Sequence, residues 1–162
     1  TGLEVLQLVD HKSILFASVG YLEDENNIWY GGFNTNIGWG QINRLDNPSA
    51  IWQEDLFMGS NHLRPEILKQ IIFTKDQFGN LLTSPDTVLI AAGYSPNYIT
   101  SIVKVTSFAR NDLNGTWGES EIVQGGFPAG ENYSIRDIEM YVDQQTGFEY
   151  AFATVGTHEI YK

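Results

Sequence analysis

The sequence contains no cysteine, so neither a disulfide nor a thiolate contributes to its stability or chemistry. Bases are scarce: 9 Lys and Arg stand against 20 Asp and Glu, for a formal charge of -11. Nucleic acids and anionic membrane surfaces are bound through clusters of Lys and Arg, so this balance argues against both as partners. No apolar run is long enough to cross a bilayer as a helix, and no membrane insertion is expected. No Gly-x-Ser-x-Gly elbow is present, and no glycine-rich phosphate loop follows a strand and opens a helix. The three histidines, His11, His62 and His158, share no metal spacing and read as surface or loop residues.

What the sequence does hold is a repeat. Three short runs share one pattern, a bulky apolar residue, Ala, a small residue, then Gly: Leu15 to Gly20, Leu89 to Gly93 and Ala151 to Gly156. Upstream of each lies another β run, Leu3 to Val9, Leu68 to Thr74 and Ile135 to Val142, followed by Asp10, Asp76 or Asp143. Recurrence of the aspartate in every copy points to a turn requirement, because Asp hydrogen-bonds the backbone just after it. A third run carries Ile, any residue, then a base: Ile42 to Arg44, Ile102 to Lys104 and Ile160 to Lys162, in steps of 60 and 58 residues. Copies one and two add a tryptophan strand, at Ile51-Trp52 and Thr116-Trp117. Self-similarity at such a period identifies the unit of the fold. Here the unit is a four-stranded antiparallel meander.

The middle strands are apolar on both faces. In copy three, Tyr150 and Phe152 point one way and Ala151, Ala153 and Val155 the other. A sheet buried on both faces needs a neighbour on each side, whereas a two-layer sandwich alternates apolar with polar. Four-stranded units with this burial resemble blades of a β-propeller; a β-sandwich of look-alike strands is the other architecture compatible with the pattern. Asn111-Asp-Leu-Asn-Gly-Thr-Trp117 resembles a degenerate Asp-box, the Ser-x-Asp-x-Gly-x-Thr-Trp hairpin of sialidase-like propellers. The Ser is missing and the step from Asp to Gly is one residue longer. In that family the hairpin is structural and lies on the outer rim. The resemblance implies an all-β chain of about three blades of an incomplete propeller, forming a single segment, 1–162. Blade one spans about 1–60 with an insertion at 21–38, blade two about 61–125, and blade three about 126–162 without its outer strand. The further blades are expected from the same longer chain or from other subunits.

The insertion supplies Trp29, Tyr30 and Phe33, with Trp39 just after it, flat apolar faces of the kind that sugars and proteins pack against. The loops Gly59 to Pro65 and Gly125 to Tyr133 lead from an outer strand to the next inner one, which would bring His62, Arg64 and Tyr133 toward a central opening; plain connecting loops read the same way. Asp112, Asn114 and Asp76 are candidate calcium ligands, because hard cations take oxygen donors; no other cofactor is expected. The composition, rich in Gly, Asn, Tyr and Trp without Cys, points to a secreted or cell-surface protein. Two functions fit. One is a binding or scaffold module that engages a glycan or protein ligand. The other is part of a propeller-fold, sialidase-like glycoside hydrolase, which would need two facing carboxylates and arginines for its substrate. With no catalytic constellation in view, the reading leans away from an enzyme.

Overall fold

Three antiparallel sheets follow one another along the chain. The computed structural model describes residues 4–20, 40–59, 62, 64–97, 102–122, 127–128, 135–156 and 159–161. All regular elements among them are strands. Sheet one runs in the order β1 (Glu4–His11), β2 (Ile14–Gly20), β3 (Gln41–Leu45) and β4 (Gln53–Phe57). Sheet two runs β5 (Pro65–Lys75), β6 (Leu81–Asn97), β7 (Ile102–Asn111) and β8 (Thr116–Glu121), and the short β9 (Phe127–Pro128) also pairs with β7. Sheet three is β10 (Ile135–Val142), β11 (Glu149–Val155) and β12 (Glu159–Tyr161). Sheets one and three are simple meanders, and so is sheet two through β5 to β8.

The expected turns form for the expected reason. Asp10 accepts the amide of Ser13, Asp76 those of Phe78 and Asn80, and Asp143 that of Gln145. Gly79 and Gly147 take positive φ in the second and third of these turns. The first has no glycine. Lys12 and Ser13 themselves sit at φ 51° and 66°, a conformation that costs a non-glycine residue about 1–3 kcal/mol and must be held by its surroundings.

A feature invisible in the pattern recurs in every sheet. The register of the first hairpin slips between Val5 and Gln7, between Pro65 and Ile67, and between Ile135 and Asp137. Leu6, Glu66 and Arg136 are therefore equivalent bulge residues, each left without a cross-strand partner. Counting from the bulge puts Leu8, Leu68 and Ile138 in one position, and Ala17, Ala91 and Ala153 in another.

The third strands obey a different register from the one read in the sequence. Ser18 pairs with Ile42 and Thr154 with Ile160, but their equivalent Ala92 pairs with Ser107. Ile102 lies beyond that level, opposite Asn97, because the β6–β7 hairpin continues past the point where the sheet-one ladder stops. Ile51 and Trp52 likewise stand exposed ahead of β4 rather than inside a strand. Sheet three starts at Ile135, while Phe127 and Pro128, expected with it, pair with sheet two.

Sheet two is buried on both faces. Leu68, Leu89, Ala91 and Phe108 pack against Phe16, Ile42 and Met58 of the preceding unit. Ile67, Ile71, Ala92 and Val105 pack against Ile135, Ile138, Ala153 and Val155 of the following one. Val155 is thus core, because the face it lies on is the one sheet two covers. The closest approaches run through the first strands, β1 to β5 and β5 to β10. Away from them a cleft opens between Ser107, Ser120 and Ile122 on one side and Ala151 and Ala153 on the other. At the turns, the Glu149 carboxylate accepts the amides of Thr74 and Lys75 at 2.7 and 3.1 Å and locks sheet three to sheet two.

Close approach to the backbone demands glycine most strictly at Gly93. A Cβ on Gly93 would lie 2.8 Å from the Arg64 carbonyl oxygen and 3.0 Å from Met58 Cε. Gly93→Ala should cost about 1–3 kcal/mol, read as a lower urea midpoint. Gly118→Ala, whose Cβ would meet nothing nearer than 3.9 Å, should leave that midpoint close to wild type.

Candidate functional site

Two clusters of polar side chains lie between the sheets, and they differ in how completely their partners are satisfied. The first joins sheets one and two. Asp55 on β4 has a side chain only 3% exposed, and Arg110 on β7 one of 5%. Arg110 Nε donates to Asp55 Oδ2 at 2.8 Å and its Nη1 to Asp112 Oδ1 at 2.6 Å, while its guanidinium carbon sits 5.0 Å above the Phe16 ring. Trp117 Nε1 also donates to Asp55 Oδ2, at 2.8 Å, and Arg44 Nη1 to Oδ1 at 3.3 Å. Asp112 Oδ2 takes Lys12 Nζ at 2.6 Å and stands 2.9 Å from His11 Nε2. The other ring nitrogen of His11 faces the Gln70 side chain at 3.1 Å. Burial pushes the Asp112 carboxyl up, but the hydrogen bonds from Lys12, His11 and Arg110 outweigh it and hold the group well below the usual carboxylate range.

This arrangement is a clamp. The oxygens of Asp112, a candidate calcium ligand, are engaged by three donor side chains. Asn114 Oδ1 accepts the amide and hydroxyl of Thr116, and Asp76 caps its own turn. No cluster of three or more His, Asp or Glu able to hold a metal ion occurs among the described residues. His11, read as a surface residue, is buried because sheet two covers the face on which it lies.

The second cluster gathers at the bulges. Glu66 and Arg136 are the bulge residues of neighbouring first strands, and a bulge turns its side chain away from the alternation of the strand. Glu66 Oε1 accepts Arg64 Nη2 at 3.1 Å. Its Oε2 is buried and has no hydrogen-bond partner among the described residues. Burial raises the Glu66 pKa, an effect offset only in part by Arg64, by Arg136 and by the Ile135 amide. Gln7, one residue past the bulge of sheet one, donates to the Glu66 carbonyl and accepts the Leu68 amide, so the backbone around Glu66 is fixed from the neighbouring sheet.

The approach to this cluster is equally fixed. Gly40 donates to the His62 carbonyl at 2.7 Å, and the Arg64 backbone passes so close to Gly40 and Gly93 that neither tolerates a Cβ without a shift. The His62 ring is buried against Phe108 at 5.8 Å in an edge-on contact, and its Nε2 has no described partner. Burial lowers its pKa, with a contact to the Met58 backbone opposing. Of the two site residues expected from the Gly59 to Pro65 loop, Arg64 therefore reaches the cluster and His62 is packed behind it. Trp29, Tyr30, Phe33, Trp39 and Tyr133 lie outside the described residues. Glu66 and Arg136 escaped the sequence reading. The one signal for them is that the three copies place Leu, Glu and Arg at a single equivalent position.

Comparison with models of protein families, with curated proteins and with solved structures finds no match for this chain.

Substitutions in the first cluster separate its ionic from its neutral contributions. Asp55→Ala strands the buried Arg110 charge and should cost about 3–5 kcal/mol, whereas Trp117→Phe removes one hydrogen bond and should cost about 1 kcal/mol; chemical denaturation reads both. The folded-state pKa of Asp112 is depressed, so its contribution is present above the ordinary carboxylate range and is lost as pH falls. Asp112→Asn should accordingly weaken the protein at neutral pH and flatten the acid limb of its stability curve.

Proposed function

We propose that the chain is a binding module of a secreted or cell-surface protein, that its sheets are blades of a β-propeller, and that it engages a hydroxyl-rich ligand such as a glycan at the bulged ends of the first strands. The observation that carries this reading is the Glu66 carboxylate, which is paired with Arg64, lies in the field of the Arg136 charge, and keeps a second oxygen buried without a hydrogen-bond partner among the described residues. A carboxylate oxygen accepts a hydroxyl proton, and guanidinium groups donate to hydroxyl oxygens, so the set matches a ligand whose groups are both donor and acceptor. Preformed polar groups at the head of rigid strands suit recognition, since little side-chain freedom remains to be lost. Propellers host binding and catalysis alike, and the site has to decide between them.

A raised carboxyl pKa also suits a general acid, which is the specific support for a propeller glycoside hydrolase. That chemistry needs a second carboxylate facing Glu66 across the scissile bond. The described acids of the other cluster do not supply it, because Asp55 and Asp112 are committed to Arg110.

A glycan array probed with the wild-type chain should show defined binders, and Glu66→Gln should weaken them about tenfold or more while leaving the melting temperature close to wild type. Binding should also fade as pH falls through the raised pKa of Glu66. Stability runs the other way: a carboxyl raised in the folded state favours folding below its unfolded value and loses that contribution as pH rises through the folded one, a trend Glu66→Gln should abolish. Wild-type affinity in Glu66→Gln would remove the site from consideration, and hydrolysis of the bound glycan, lost in the variant, would favour the enzyme reading.

A further inference from the structure

The recurring bulge gives the stack a direction. In sheet one the face carrying Gln7, Val9, His11 and Phe16 meets sheet two. In sheet two the equivalent face, with Ile67, Ile71 and Ala92, meets sheet three. The same face of sheet three carries Asp137, Tyr141, Phe152 and Thr154 and is open: these residues line a groove, and Tyr141 is 51% exposed. Rings form a ladder across it, Tyr141 to Phe152 at 5.8 Å, Phe152 to Tyr150 at 6.3 Å, and Tyr150 to Phe148 at 6.4 Å. The opposite face is covered in sheets two and three, through Leu68 and Ile138. In sheet one it is open along β1, where Val5 is 59% and Leu8 58% exposed, although Ala17 and Val19 farther into the sheet are buried.

We propose that the open face of sheet three docks against the β1 strip of a second copy of this chain, head to tail. The register says what would meet. His11 faces Gln70 in the first interface, and the equivalent positions in the second are Ile71 and Met140. Carried forward once more, the pair is Tyr141 with Asp10 of the second copy, a phenol donor on a carboxylate. Phe152, equivalent to Phe16, would meet Leu8 and Leu15, as Phe16 meets Leu68 and Leu89. Each pair is therefore matched in polarity. Asp137 and Glu139 on the same face are held by Lys69, which limits their repulsion of Asp10. Contacts along the first strands already carry the two internal interfaces, and the β1 strip is where the open face lies. Such an interface is heterologous and closes only if the rotation does. Two copies of a chain with three sheets fall within the 4 to 8 blades at which propellers close. The inference rests on reading the sheets as blades and is independent of the Glu66 site.

Sedimentation at micromolar concentration should find a species of twice 18.2 kDa. Tyr141→Asp and Leu8→Glu, both at exposed positions, should each weaken association by about tenfold or more with unchanged circular dichroism. Mixing the two variants should restore a dimer, since the pair retains one intact interface. A monomer throughout would overturn the proposal. So would a dimer broken by Tyr141→Asp but indifferent to Leu8→Glu, because that pattern belongs to two sheet-three faces meeting each other, and so would a dimer indifferent to both. Each of these results leaves glycan binding at Glu66 unaffected, so the two ideas fail separately.

Discussion

Each first strand holds one residue more than its partner can match, and much of the structure follows from that surplus. The bulge fixes which face of each sheet looks forward along the chain, since a slip of one residue would send every side chain to the other face. It places Gln7 where it can hydrogen-bond the backbone around Glu66. It also takes Glu66 and Arg136 out of the alternation, so that two charged side chains stand near each other at a place where neighbouring sheets would otherwise present apolar residues.

The sheets are joined by apolar packing on the inside and by charge elsewhere. Between sheets one and two the Asp55–Arg110–Asp112 group satisfies nearly every donor and acceptor it contains, as a buried ionic group must if it is not to destabilise the fold. It also explains the odd first turn. Lys12 occupies a left-handed conformation, and its ammonium is tied to Asp112 while His11 beside it is buried on the same carboxylate. Between sheets two and three the counterpart is lighter, Glu149 capping two backbone amides in the turn region.

The repeat, the all-strand character and the three aspartate turns were legible because each depends on local chemistry: alternation in a strand, and a side chain bonding the amides just after it. The register of β7 was not. Ile102 mimics Ile42 in type and spacing, but a hairpin's length is set by how far its ladder runs, and polar and apolar residues alternate equally well on either side of Ser107. Burial of His11 escaped for a related reason: its environment comes from a different sheet, 59 residues away at Gln70. Glu66, a lone acid near a proline in a β run, reads as solvated until the bulge that redirects it is seen. Arg64 was within reach because its loop, rich in Gly, Pro and Asn, marks a strand entrance.

The order of the stack also sets how the molecule loosens. Sheet two is gripped on both faces, while the described part of sheet three is gripped on one, with three strands instead of four. In a linear array in which each unit touches only its neighbours, opening free energy follows the number of interfaces lost. Amide protons in the buried middle of β6 and β7, around Leu89, Ala91 and Val105, therefore exchange only when both of these interfaces open, whereas within this chain β10 and β11 are held by the one interface that Ile138 and Ala153 make. The chain carries a gradient of protection along its length, with the middle sheet as its slowest-exchanging layer.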